Sequence, residues 1–288
     1  IKYEITLDRY SKSYSIFIMN SLNSILNNIL FIVNKFIAKD EFQNLYNKKD
    51  ENSLSLDLKR NKILKNFKKI PVEQILEFNF EINKILNKLN KNETSVYVNN
   101  IASDFFSEND PLLKIALDEK ILNLVQNYFQ ERAILWDLRV LKSENNHKLK
   151  ISHDQLWHRD KYDSKGLRLW VSLSDCCKES GPFQYLPYNI SKKITKSFFT
   201  RIKDDYLVKK NLFQHIKYLH SKKGEVSLID VSNLLHCGSR TKAGKTRLVF
   251  NAIYTTSKPY KKPTFNSLLR KKLLKTQLSD LQKSFLTY

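Results

Sequence analysis

The chain has 288 residues, of which 41% are hydrophobic and 12% aromatic, enough apolar material for one large core, so a disordered tail is excluded. Fifty Lys and Arg against 29 Asp and Glu leave a net charge of +21, which invites a nucleic-acid or anionic-surface reading. That excess is 40 Lys to 10 Arg, scattered through a chain with only six Ala and five Gly; this is the bias of AT-rich coding rather than a basic face, and nucleic acid is not the expected partner.

Residues 16–38 carry apolar side chains at three- and four-residue steps, which predicts an amphipathic helix. Asn20, Asn23, Asn27, Asn28 and Asn34 interrupt it. A bilayer core penalises such side chains, so no membrane span is expected, and no basic n-region or cleavage pattern marks a signal peptide. The same periodicity predicts helices over 56–70, 72–89 and 111–129, the last with Asp110 as cap before Pro111. From residue 133 the texture changes. Short β-type runs over 133–141, 167–173, 183–186, 225–231 and 246–256 are separated by turn residues, and every Gly lies between Gly166 and Gly244. A basic, partly helical insertion is expected over 194–219, within a lid-like 190–222, and helical spacing returns over 265–285 after Pro259 and Pro263. The predicted organisation is α+β: a helical N-terminal region over 1–132, a β-sandwich or jelly-roll core over 133–258 with helices packed outside, and a helical extension over 259–288.

Cys176, Cys177 and Cys237 are the only cysteines. Sequence neighbours rarely bridge and no C-x-x-C spacing is present, so a reducing, cytoplasmic setting is expected and zinc is not.

The segment that carries chemistry is Trp157-His158-Arg159-Asp160, followed 76 residues after Asp160 by His236. Residues two apart in a strand point the same way, so His158 and Asp160 can present an imidazole and a carboxylate to one point. With His236 from a second strand, two His and one carboxylate occupy one face of a metal and leave the opposite face open, the arrangement of non-haem Fe(II) oxygenases. An H-x-D triplet also arises by chance, as a surface His beside an acidic residue. Arg247, eleven residues after His236, adds a second feature: a guanidinium buried at a barrel mouth needs a planar anion. The keto acid 2-oxoglutarate meets that need, chelating iron at one end and offering guanidinium a two-pronged contact at the other. The alternative for Arg247 is an edge-strand surface charge.

Taken in order, His158-Arg159-Asp160, Trp170-Val171-Ser172-Leu173-Ser174-Asp175, Glu179-Ser180-Gly181-Pro182, Leu186-Pro187, His236 and Arg247 resemble the phytanoyl-CoA dioxygenase family of Fe(II)/2-oxoglutarate oxygenases. The resemblance extends upstream to Asp110-Pro111-Leu112-Leu113 and covers roughly residues 105–257. It implies a double-stranded β-helix of the jelly-roll or cupin type, with His158, Asp160 and His236 on iron, Arg247 on the distal carboxylate of 2-oxoglutarate, and Trp170 lining the cosubstrate pocket. Trp170 also reads as an ordinary core aromatic. Two features depart from the family: Gly238 and Ser239 stand where a Ser commonly lies two residues after the distal His, and Pro187-Tyr188-Asn189-Ile190 replaces a P-G-S-H turn. The implied activity is a dioxygenase that uses Fe(II), 2-oxoglutarate and O2 to hydroxylate an unactivated C–H bond of a small molecule, releasing succinate and CO2. Asp160 favours hydroxylation over halogenation, since halogenating relatives carry a small residue there. The basic balance suits a substrate bearing carboxylate, phosphate or thioester. The competing readings are a non-catalytic jelly-roll binding protein, against which the intact set of His158, Asp160, His236 and Arg247 argues, and a cupin-type metal hydrolase or isomerase, which has no need of Arg247 as a carboxylate clamp.

Overall fold

A computed structural model describes residues 53–71, 73–75, 82, 98–144, 153–194, 201–238 and 240–288, all within the unit Asp50–Tyr288. The helix expected over 16–38 and the position of Ser239 lie outside these residues; of the helix expected over 72–89, residues 73–75 and 82 are described, and these are helical. The helices discussed below are α1 (Ser53–Asn61), α2 (Pro111–Ala116), α3 (Glu119–Phe129), α4 (Tyr188–Ser191), α5 (Asp204–Lys209), α6 (Ser267–Leu273) and α7 (Asp280–Leu286). The strands are β1 (Ile63–Lys69), β2 (Val98–Ile101), β3 (Ala133–Glu144), β4 (Gly166–Ser172), β5 (Phe183–Tyr185), β6 (Lys217–Leu219), β7 (Glu225–Asp230), β8 (His236–Cys237) and β9 (Thr246–Thr256). One antiparallel sheet runs β1-β7-β4-β9-β3-β2 and a smaller one β6-β5-β8.

Two helical expectations are corrected. The run 56–70 is helical only to Asn61; Lys62 takes left-handed backbone at φ 62, and the chain continues as β1, with Ile63 opposite Ile229 of β7. A bulge between Leu64 and Lys68, with Asn66 at φ 45, breaks the period-two alternation by which a strand is recognised. The run 111–129 is two helices rather than one. The Asp110 side chain accepts from the Leu112 amide at 2.9 Å and starts α2, as expected, and a second cap, Asp118, accepts from the Ile121 amide at 3.1 Å and starts α3. The region expected to be helical up to 132 therefore also supplies two strands to the large sheet. The segment expected as an insertion supplies β6 to the small one, and Leu207 and Ile216 pack with Trp157, Leu186 and Leu235.

The inner strands β7, β4, β9 and β3 of the large sheet are buried on both faces, which is why they read as nearly continuous apolar runs. On β9, Leu248, Phe250, Ala252 and Tyr254 face the helices, where Leu122, Val125 and Phe285 complete the core. Phe285 of α7 meets the Tyr254 ring edge-on at 5.9 Å and 88°, so the C-terminal helices pack back on the sheet. The intervening side chains of β9 turn to the other face, where Val249 joins Ile229 and Trp170 against Phe183 and Tyr185 of the small sheet. A bulge on β3 between Leu135 and Asp137 moves the helix-facing set from Ala133 and Leu135 to Leu138 and Val140. That shift turns Arg139, Leu141 and Ser143 toward the interior between the sheets. Among the described residues, no helix is long and apolar enough to cross a membrane.

Candidate metal centre

Trp157 to Asp160 run extended between three partners rather than within one strand. Trp157 pairs with Ile202; the His158 amide donates to the His236 carbonyl at 2.8 Å and receives the reverse bond at 2.9 Å; the Asp160 amide donates to the Val231 carbonyl at 2.9 Å. His158 and His236 are thus cross-strand neighbours, with ring centroids 4.5 Å apart. Each ring is oriented the same way: Nδ1 of His158 lies 2.7 Å from the Leu156 carbonyl, and Nδ1 of His236 lies 3.0 Å from the Leu234 carbonyl. A carbonyl only accepts, so Nδ1 carries the proton and Nε2 is left as a lone-pair donor. Asp160 Oδ1 lies 3.4 Å from Nε2 of His158 and 3.9 Å from Nε2 of His236. One ligand atom from each of the three residues falls within 4.8 Å of the others.

Burial and then the neighbouring His158 press the His236 imidazole down to about 3, so it is neutral, the ligating form. Burial opposes ionisation of Asp160, yet the Arg168 charge beside it holds its carboxyl well below the usual range. Nε2 of His236 is buried without a hydrogen-bond partner. A metal ion satisfies such an atom, and a donor set of two imidazoles and one carboxylate suits a first-row divalent cation such as iron(II).

His158 and His236 line a cavity of about 260 Å³ together with Trp170, Phe183, Asn251 and Arg247, and Asp160 stands behind the two imidazoles at its edge. Arg247 is 4% exposed and burial lowers its pKa. Its Nη2 donates to Ser143 Oγ at 2.9 Å and its Nη1 to the Gly181 carbonyl, while Nε has no partner. No carboxylate among the described residues pairs with it. Gly181 sits in left-handed backbone at φ 76, a conformation that costs other residues about 1–2 kcal/mol. The Glu179-Ser180-Gly181-Pro182 turn thereby delivers a carbonyl to the guanidinium. The Trp170 ring lies beneath Arg247, and Phe183 stacks on His236 with centroids 5.0 Å apart. All five residues expected at the site therefore line one cavity or converge at its edge.

The remaining candidates lie elsewhere. Arg159, flanked by the metal-site residues, is spent on the carbonyls of Asn233, Ser191 and Ile194. Neither His215 nor His220 lines the cavity, and all three cysteines are free thiols. At Gly238, where the family commonly has Ser, the amide donates to the Asp154 carbonyl at 2.7 Å and an added Cβ would stand 3.3 Å from that oxygen. Arg168, Arg139, Ser143 and Asn251 were not legible as site residues. Period two offered one signal, because Arg168 shares a strand face with Trp170. Asn251 is 1% exposed with both amide atoms unpartnered, and it shares the face of Arg247 four residues along β9.

No protein-family model matches the chain, and no curated protein matches it by sequence. Solved structures do. The non-heme α-ketoglutarate-dependent epimerase SnoN from nogalamycin biosynthesis aligns at 18% identity and TM-score 0.53, over 79% of this chain and 90% of its own. The non-heme α-ketoglutarate-dependent carbocyclase SnoK from the same biosynthesis aligns at 14% and 0.56, over 78% and 92%. EctD from S. alaskensis, with bound Fe, aligns at 13% and 0.55, over 78% and 86%. At these identities the likeness is one of fold, and the fold this chain shares is that of enzymes described as non-heme, α-ketoglutarate-dependent or iron-bound.

Proposed function

We propose that the protein is an Fe(II)/2-oxoglutarate-dependent dioxygenase of the phytanoyl-CoA dioxygenase-like type, built on a double-stranded β-helix and acting on a small molecule. One observation carries the reading: a His158–Asp160–His236 ligand set shares a cavity with a buried guanidinium that no carboxylate of the described residues neutralises. His158, His236 and Asp160 hold the metal. Arg247 takes the distal carboxylate of the keto acid, its fork oriented by Ser143 and the Gly181 carbonyl, and desolvation makes the charge-assisted contact strong. Trp170 and Phe183 wall the space between and exclude water. When bound, the iron would activate dioxygen, with the keto acid giving up two electrons as it becomes succinate and CO2, and the two oxidising equivalents left over would act on a substrate C–H bond. The protein's part is to fix the ligands and position the substrate.

Hydroxylation is the reaction we favour, and Asp160, which keeps a carboxylate for the metal, sets it apart from halogenation. SnoN and SnoK are described as an epimerase and a carbocyclase, so the substrate's pose, not the metal site, decides among outcomes. The three free thiols support a cytoplasmic setting. The test is aerobic turnover of 2-oxoglutarate with Fe(II), read as succinate and screened across amino acids, sugars and acyl carriers for stimulation. Absence of any Fe(II)-dependent succinate, coupled or uncoupled, ends the proposal.

A further inference from the structure

We propose that Arg168 is the positioning residue that makes Asp160 a one-oxygen ligand and so keeps the metal's open face available to 2-oxoglutarate; the inference rests on the metal-centre reading above. The two carboxylate oxygens of Asp160 have different partners. Oδ1 faces Nε2 of both histidines, at 3.4 and 3.9 Å, whereas Oδ2 accepts a hydrogen bond from Nη2 of Arg168. Arg168 lies on β4 in register with Ile253 of β9 and Ile229 of β7, two residues before Trp170. One of the two central strands of the sheet therefore places a guanidinium beside the metal-binding carboxylate, with 14% of its side chain exposed.

A carboxylate free at both oxygens binds hard divalent cations with one oxygen or with two. The second mode takes a coordination position that a chelating keto acid needs. Arg168 opposes that mode twice, by occupying Oδ2 and by resisting its withdrawal, since swinging Oδ2 to the metal leaves a desolvated guanidinium without its anion. Arg168 also balances the charge of Asp160. The three ligands with Arg168 then bring no net charge to the metal, and the charge of the dication remains to attract a dianionic cosubstrate.

This arrangement moves two affinities in different directions when Arg168 is lost. In Arg168→Met of the full chain, Mn(II) binds as tightly as in wild type or more tightly, because Asp160 offers both oxygens and its full charge. Binding of 2-oxoglutarate to the Mn(II)-loaded protein weakens by at least about tenfold. Titration calorimetry reads both affinities, and the visible spectrum of the Co(II)-loaded protein reports whether the coordination number has risen before 2-oxoglutarate is added. Arg168→Lys, which restores the charge with a single-point contact, recovers part of the loss. Should Arg168→Met fold poorly, Arg168→Ala supplemented with guanidinium ion serves instead, and the added ion restores 2-oxoglutarate binding. Parallel loss of both affinities, or a change in neither, overturns the inference. If wild type shows no metal-dependent 2-oxoglutarate binding, the metal-centre reading fails and takes this inference with it.

Discussion

The guanidinium carbon of Arg247 lies 5.4 Å from the centroid of the Trp170 ring, so a buried positive charge rests on an aromatic face and two neutral oxygens instead of a carboxylate. Such a charge destabilises the ligand-free protein and is satisfied only when an anion arrives. Arg247→Met is therefore expected to act oppositely on stability and function. The thermal midpoint of the ligand-free protein rises, while binding of 2-oxoglutarate to the metal-loaded protein weakens by about 2–5 kcal/mol and metal affinity is retained. Thermal unfolding and calorimetric titration check the two arms. Unchanged cosubstrate dependence removes Arg247 from the site.

The histidines are fixed by their own chain, each ring held by the carbonyl two residues before it, so no other side chain can replace a lost imidazole by a small rotation. His158→Ala and His236→Ala are each expected to reduce divalent-metal affinity by about 100-fold or more, with the fold retained. Metal content after dialysis measures this. A variant that keeps its metal stoichiometrically would show that the residue is not a ligand.

Asn251 buries an amide with neither atom paired, and an unsatisfied buried polar group costs about 1–3 kcal/mol. Asn251→Val, which suits a strand and has nothing to satisfy, is expected to stabilise the ligand-free protein by about 1 kcal/mol. Chemical denaturation decides it: a lower midpoint with an unchanged slope means that the amide is satisfied in solution.

Asp110 caps α2 from a partly desolvated position, and burial, partly offset by the Leu112 and Leu113 amides, raises its carboxyl from 3.8 to about 6. The folded protein therefore binds the proton more tightly than the unfolded chain. The contribution to stability is complete below about pH 4 and is lost as pH rises through about 6, a cost of about 2 kcal/mol at neutral pH after allowance for solvent screening. Asp110→Asn keeps an acceptor for the Leu112 amide and removes the charge. Its advantage over wild type should be near zero at about pH 4 and grow toward about pH 7. Urea unfolding at both values tests this, and an advantage that shrinks with rising pH contradicts the assignment.

Much of the fold was legible because its signals are local. The run 246–256 matches β9, and 133–141, 167–173, 183–186 and 225–231 fall on β3, β4, β5 and β7, since β-branched and aromatic runs between turn residues need no tertiary context to be recognised. The spacing of His158, Asp160, His236 and Arg247 singled those residues out in the sequence, and the structure brings one ligand atom from each of the first three within 4.8 Å of the others and sets Arg247 in the cavity that both histidines line. β1 escaped detection because its bulge erases alternation, and the division of 111–129 escaped because Asp118 reads equally well as an exposed helical residue and as a cap.

By itself the sequence determined which groups are available and roughly which strands carry them. It could not decide how those groups are paired, because pairing depends on which strands lie side by side. Arg168 meets Asp160 only because β4 sits between β7 and β9, and Arg247 meets Ser143 only because β3 runs antiparallel to β9 in that register. The bulge at Leu135/Asp137 likewise decides which alternate side chains of β3, Arg139, Leu141 and Ser143, face the cavity. Burial then gives those pairings their force: a charge that water would screen on an isolated strand must, between two sheets, find a carboxylate, a carbonyl or a ligand.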